Sequence, residues 1–388
     1  VSPSVTSSLH DMHWPERNED DFRRGAAVLD SVNLDVLSFS HDDLCHLALL
    51  LFETLRLPQL LQIPVVSFQR FITSVRAHML ENPYHNWHHA FDVTQTLYTF
   101  TKVTGVLARL DPAEQLAIFV AALCHDLEHP GVNNNFLSEA ECRLADAMGA
   151  SSTLEKHHFS RGVYLLERPE IRLLETLSLK VKRRVMKLMK RLILATDMAR
   201  HGEFLALLRN TQVEATNSSP SVSRTPSSYI PGRKVSIAAK GLDKEQELEI
   251  LMKCSDVSNA VKAFNVSKKW CMRVTDEFFD QGDRERDQGI NITAGFDRNT
   301  QRPDHRVTSQ KGFIDFVLEP MYREVARHFP AMTFALTSIR RNRLGWDTYS
   351  DSRLMAEASA DKLQREASVR DVHMTRHGDD HVGAHDGY

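Results

Sequence analysis

A chain of 388 residues, 42% apolar and 26% charged, has the composition of a soluble globular protein with a substantial core, in one large domain or two to three smaller ones. A formal net charge of −3 gives no overall field for nucleic acid or an anionic membrane. No run of about 18 apolar residues is present, so no membrane-spanning helix is expected. The first thirty residues are polar and lack the apolar stretch of a signal peptide, and a start at Val1 rather than Met suggests a segment excised from a longer protein.

Taken in chain order, residues 1–45 read as a polar segment with leading helices. Apolar residues then recur at three- and four-residue spacing over 46–55, 68–79, 90–107, 115–123 and 180–195, which predicts helices there. Asp111-Pro112 supplies an N-cap and a first helical residue. Alternating β-branched stretches are nearly absent and no internal repeat is visible. The expectation is an all-α, compact multi-helix fold, with the main domain over 46–340. Between Lys180 and Arg191, seven basic residues flank the apolar stripe Val181, Val185, Leu188 and Leu192, the pattern of a solvated face over a core-facing one. Residues 211–241, rich in Ser, Thr and Pro, read as a long loop, and 281–308 as a second loop close to a pocket. Residues 341–388 read as one helix and a polar tail. The five cysteines are scattered and form no CxxC pair, so they are expected to be reduced, buried thiols of a cytoplasmic protein.

Three separated segments carry chemistry. Tyr84-His85-Asn86-Trp87-His88-His89 packs three imidazoles into six residues; on a helix His85 and His89 would share one face, one binding metal and one facing substrate. An alternative assignment takes His85 or His88 as the ligand, since i, i+3 and i, i+4 pairs are both feasible. His125-Asp126-Leu127-Glu128-His129-Pro130-Gly131 places an imidazole and a carboxylate at the end of an apolar run, where an unpaired Asp would be costly and a metal would remove that cost. Asp256 lies in the apolar setting of Ile250-Leu251-Met252 and Val257 and can supply a fourth ligand; Asp197, in Leu194-Ala195-Thr196-Asp197-Met198, competes with it on spacing alone. Two imidazoles and two carboxylates suit one Zn²⁺, and a harder ion such as Mg²⁺ can share a carboxylate with it. Paired metals activate water and clamp phosphate, which points to phosphoester hydrolysis.

At these residues the chain resembles the catalytic domain of class I cyclic nucleotide phosphodiesterases, HD-type metal phosphohydrolases, over about residues 50 to 335. The resemblance rests on His125-Asp126-Leu127-Glu128-His129-Pro130-Gly131-Val132-Asn133-Asn134-Asn135-Phe136, with Tyr84-His85-Asn86, Thr196-Asp197-Met198, Cys254-Ser255-Asp256-Val257-Ser258-Asn259 and Ser309-Gln310-Lys311-Gly312-Phe313 in the family's order. It implies that His89, His125, Asp126 and Asp256 bind zinc and that Asp126 bridges to a second metal, Mg²⁺ or Mn²⁺. A hydroxide between the ions would then be the nucleophile. It also implies His85 as the general acid on O3′, Glu155 as the carboxylate that orients it, and His129, Thr196 and Asp197 close behind the metals. The cyclic nucleotide would meet Tyr84, Met198, Asn259, Val274, Gln310 and Phe313, with Phe313 stacking on the purine, Val274 opposite and Gln310 in the base plane. An amide both donates and accepts, so Gln310 can pair with adenine or guanine, and cAMP and cGMP both remain open. Glu128 stands where the family more often has Asp, outside the ligand set. Two competing readings are another HD-type nucleotide phosphohydrolase and a catalytically inactive cyclic-nucleotide-binding module.

Overall fold

The computed structural model describes residues 12–14, 18–149, 151–211, 241–300 and 304–360. The Ser/Pro-rich stretch, all but its first and last residues, and the tail beyond 360 lie outside them. Among the described residues the chain is helical with no strand, as the periodicity predicts.

The helices are α1 (Glu19–Leu29), α2 (His41–Thr54), α3 (Leu57–Leu60), α4 (Val65–His78), α5 (Trp87–Val103), α6 (Pro112–Cys124), α7 (Asn134–Glu139), α8 (Arg143–Met148), α9 (Thr153–Leu166), α10 (Leu179–Ala195), α11 (His201–Asn210), α12 (Lys244–Asp256), α13 (Phe264–Asp287), α14 (His305–Phe313), α15 (Glu319–His328) and α16 (Thr333–Trp346). Residues 351–360 are also helical.

Helices α5 and α6 form the centre. Both are buried nearly all round: α5 is covered at Trp87 and from His89 to Thr101, and α6 from Leu116 to Cys124. An interior helix needs no polar face. Several buried polar residues of α5 find partners: Thr94 and Thr101 donate to carbonyls four residues back, and Lys262 makes a buried ion pair with Asp92 at 3.0 Å. Asp111 caps α6 as expected, in a reciprocal capping box with Glu114.

Helix α10 lies across α6 and buries Val185, Leu188, Met189, Leu192 and Ile193. Its basic residues face outward, where Arg184 pairs with Asp111 and Arg191 with Glu249. Close approach of α9 to α6 and α10 depends on Gly162, where a Cβ would lie 2.4 Å from the Met189 methyl and 3.3 Å from the Cys124 Cβ.

Four expected boundaries move. A division at 45/46 would cut through α2, whose Leu44 and Cys45 are fully buried in the main core. A division at 340/341 would cut through α16, and Trp346 and Leu354 beyond it belong to that same core. The second loop begins at 288 rather than 281, because α13 continues to Asp287 with its charged residues on an outer helical face over buried Gln281, Gly282 and Glu285. It ends before His305 rather than at 308, because α14 starts there. All five cysteines are free, and burial pushes the Cys45 and Cys271 thiols up to about 12.

Candidate active site

Helix ends build the cleft. His89 is the third residue of α5, His125 is the C-cap of α6 and Asp256 is the last residue of α12. Asp126 sits in the turn after α6. That turn is tight: Glu128 adopts φ 59° and its N–H donates to the His78 carbonyl at 3.1 Å. Gly131 follows at φ 71° and lies against the Asn82 side chain. Asn82 ties the two histidine loops together, donating to the carbonyls of His85 (2.9 Å) and His129 (2.7 Å).

The four donors meet closely. His89 Nε2 lies 3.3 Å from Asp126 Oδ2 and 3.2 Å from Asp256 Oδ1; His125 Nε2 lies 3.1 and 3.3 Å from the same two atoms. His125 Nδ1–H donates to the Ala122 carbonyl at 2.8 Å, which leaves Nε2 to face the carboxylates. Burial disfavours charge on Asp126 and Asp256, yet the imidazoles beside them hold both carboxyls well below the usual range. Against the same burial, Asp126 and Asp256 push His125 up. Such a set calls for positive charge at its centre, and its atoms all fall within 4.8 Å of one another. It fits a metal ion, and no sulfur takes part.

Asp256, not Asp197, therefore completes the cluster. The Asp197 carboxylate is engaged elsewhere, accepting from the Ser152 hydroxyl at 2.6 Å and the Ala199 N–H at 2.9 Å. Buried Lys253 holds the chain there by donating to the Asp197 carbonyl at 3.1 Å. The Thr196 hydroxyl donates to the Ile193 carbonyl, and Met198, partly exposed, lines the cleft rim.

His85 precedes α5 rather than sharing a helical face with His89; Asn86 is the N-cap between them. Its ring stacks on His129 at 3.8 Å between centroids. The carboxylate that fixes it is Glu277 of α13, not Glu155. Glu277 Oε1 pairs with His85 Nδ1, while Oε2 accepts the N–H groups of Tyr84 (2.8 Å) and His85 (3.0 Å). Burial pulls the His85 imidazole down more than any other single effect, but Glu277 and Asp126 together outweigh it and raise it to about 9. Glu277 is drawn down to about 2, burial opposing and His85 prevailing. Glu155 stands across the cleft, accepting from Asn134 Nδ2 at 3.1 Å, and burial followed by the Asp197 charge pushes it up to about 7. It starts a different helix, α9, with Asn134 rather than His85 beside its carboxylate. His129 and His158 are buried; burial, followed for His129 by the His85 charge, lowers both, His158 to about 4. His158 Nε2 reaches Asp126 Oδ1 at 3.8 Å.

This cleft, about 470 Å³, adjoins a second pocket of about 440 Å³, and the two share wall residues Tyr84, Val274, Phe278, Phe296 and Phe313. The second pocket holds Asn259 and Gln310. Asn259 Nδ2 donates to the Tyr84 hydroxyl at 2.7 Å, not to Gln310. Phe278 stacks on Phe296 at 4.4 Å, so an aromatic pair closes one side. A larger surface groove of about 830 Å³ between α9 and α10 brings none of these residues together.

Residues 84–339 match the 3'5'-cyclic nucleotide phosphodiesterase family. The chain belongs to that family. Its metal dependence agrees with the His/Asp cluster. Curated relatives include the 3',5'-cyclic-nucleotide phosphodiesterase regA of Dictyostelium discoideum, 33% identical over 87% of this chain and 40% of its own length. Another is the high affinity cGMP-specific 3',5'-cyclic phosphodiesterase 9A of Mus musculus, 32% identical over 69% of this chain and 46% of its own length. The chain thus spans less than half of either. Among solved structures, LmjPDEB1 in complex with IBMX superposes with a TM-score of 0.72 at 27% identity, covering 89% of this chain and 97% of that one. The phosphodiesterase domain of the Salpingoeca rosetta rhodopsin phosphodiesterase superposes at 0.73 and 24% identity, over 89% and 96%, a likeness of fold.

The sequence motifs do not point to Glu277, Phe278 or Phe296, and they give Asn134, which stands in the 125–136 motif, no role. A signal for Glu277 existed: it lies three residues after Val274 on a helix, hence on the same face. No helix among the described residues is long and apolar enough to cross a membrane.

Proposed function

We propose that this chain hydrolyses 3',5'-cyclic nucleotides to 5'-nucleoside monophosphates, with His89, His125, Asp126 and Asp256 holding Zn²⁺ and Asp126 shared with Mg²⁺ or Mn²⁺. The observation that carries this reading is the adjacency of two pockets with shared walls. A four-donor cluster, an imidazole held by a carboxylate, and an aromatic-walled pocket with the amides of Asn259 and Gln310 stand side by side. When bound, the metals supply an activated water and neutralise phosphate charge.

The chain's own residues do the rest. Hydrolysis joins a water oxygen to phosphorus, breaks the P–O3′ bond and requires a proton on O3′. Glu277 engages His85 Nδ1, so the proton on Nε2 is the one available to the leaving oxygen. The Tyr84 and His85 N–H bonds to the same carboxylate fix the ring against rotation. Glu155, His129, His158, Thr196 and Asp197 line the polar side, where they order water about the metals. Phe313 and Val274 clamp the purine, Gln310 reads its edge, and Tyr84, Met198 and Asn259 shape the entrance. A cytoplasmic setting agrees with five free thiols. No nucleic acid partner is part of this reading.

The test is turnover of cAMP and of cGMP by the metal-replete chain, with and without a chelator. Hydrolysis abolished by chelation and restored by metal is expected. Saturable binding without turnover would make the chain a sensor, and turnover of linear nucleotides instead would make it a different phosphohydrolase.

A further inference from the structure

Helix α14 carries both Gln310 and Phe313, so whatever fixes α14 fixes the base pocket. The start of that helix lacks an ordinary cap. Asp304 at the N-cap position is left-handed, φ 69°, and its side chain accepts no N–H from the first turn. The free N–H groups of a helix start need acceptors. They find them far along the chain: Arg306 N–H donates to Asp351 Oδ2 at 2.8 Å, and Val307 N–H to Asp351 Oδ1 at 2.9 Å. The arrangement is reciprocal, because Asp351 N–H donates to Asp304 Oδ1 at 2.9 Å. It is a capping box closed between two segments that lie 47 residues apart.

Further ties hold the same two segments together. Lys311, next to Gln310, pairs with Asp347 at 2.6 Å, and Arg343 joins Asp347 to Asp315. The 347–357 segment is itself anchored on α13. Leu354 is buried, Lys268 donates to the Tyr349 hydroxyl at 2.7 Å, and the Tyr349 hydroxyl donates to Glu357 at 3.0 Å. Asp351 lies beyond residues 84–339, the stretch that matches the family.

We infer that Asp351 is a positioning residue for the base pocket: a segment beyond the family-matched stretch caps the helix that presents Gln310 and Phe313. A carboxylate is the preferred acceptor at a helix start, both as a cap and against the helix dipole. Without it the first turn of α14 frays, and the pocket wall carrying Gln310 loses its register while the metal cluster, built on α5, α6 and α12, is untouched. This rests on the reading of Gln310 and Phe313 as purine contacts.

The experiment compares Asp351→Ala and Asp351→Asn with Phe313→Ala, measuring KM and kcat for cAMP and cGMP, melting, and hydrogen exchange at the Arg306 and Val307 amides. Asp351→Ala is expected to raise KM about three- to tenfold, with kcat within about twofold, and to speed exchange at both amides. Asp351→Asn keeps one acceptor and should fall between. Should the Ala protein fail to fold, the Asn protein decides. Wild-type KM together with wild-type exchange at both amides in a folded variant overturns the inference; so does a fall in kcat matching the rise in KM. If Phe313→Ala raises KM and the Asp351 variants do not, only this inference fails. If Phe313→Ala leaves KM alone, the purine assignment fails first.

Discussion

The metal cleft and the base pocket share walls but are built differently. The cleft takes its donors from the ends of α5, α6 and α12, in the most buried part of the core, and His89 and His125 are fully covered. The base pocket is assembled at the periphery from α13, α14 and the 288–300 stretch, and Val274, Gln310 and Phe313 remain partly exposed. Interior residues are held by close packing on every side, whereas peripheral ones depend on a few directional contacts, such as Asp351 on α14. Damage to the first region should therefore abolish chemistry, and damage to the second should change recognition.

The largest effect is expected at the shared carboxylate. Asp126→Asn should lower kcat by about 10³-fold or more, since metal charge stabilisation is worth several kcal/mol, and should release metal. Metal analysis of the purified variant checks this. Asp256→Asn should likewise deplete metal and Asp197→Asn should not; the reverse outcome would return Asp197 to the ligand set.

The next effect separates the two carboxylates proposed around His85. His85→Ala should retain metal and lower kcat roughly 10²- to 10⁴-fold, the usual cost of a lost general acid. Glu277→Gln should act in the same direction but less, roughly 10-fold or more, by loosening the ring. Glu155→Gln should leave the orientation of His85 intact, which the histidine NMR signals would register. If Glu155→Gln disturbs those signals and Glu277→Gln does not, the geometry described above is not the working one.

Recognition should respond more mildly. Phe313→Ala removes a stacking face worth about 1–3 kcal/mol, so KM should rise about 5- to 150-fold for cAMP and cGMP alike. Gln310→Ala should instead shift the ratio between the two nucleotides, by about tenfold at most, because one hydrogen bond is worth about 1 kcal/mol. Equal effects of both substitutions on both nucleotides would remove the distinction between stacking and edge reading.

Much of this was legible along the chain. The all-α fold follows from apolar periodicity, and the Asp111 cap from the residue pair that forms it. The His125-Asp126 end of α6 follows from a polar pair closing an apolar run, because burying such a pair without a cation is unfavourable. The identity of the chemistry is therefore local: residue types within one or two helical turns.

Three things were not local. Four-residue spacing suggests one helix for His85 and His89, but Asn86 captures the His89 N–H and starts α5 after His85, a competition that spacing does not reveal. Glu155 was assigned to His85, while Glu277, 192 residues away from that histidine, holds it. Changes in composition suggest domain limits near 45 and 340, yet Leu44 and Trp346 lie in the main core across both of them. Sequence by itself determined which residues could bind metal, move a proton or stack on a base. Only the tertiary structure decided which carboxylate faces which imidazole and which distant segment caps α14. Such pairings arise when long chain separations are closed by core packing, and they leave no periodic trace in the residues that make them.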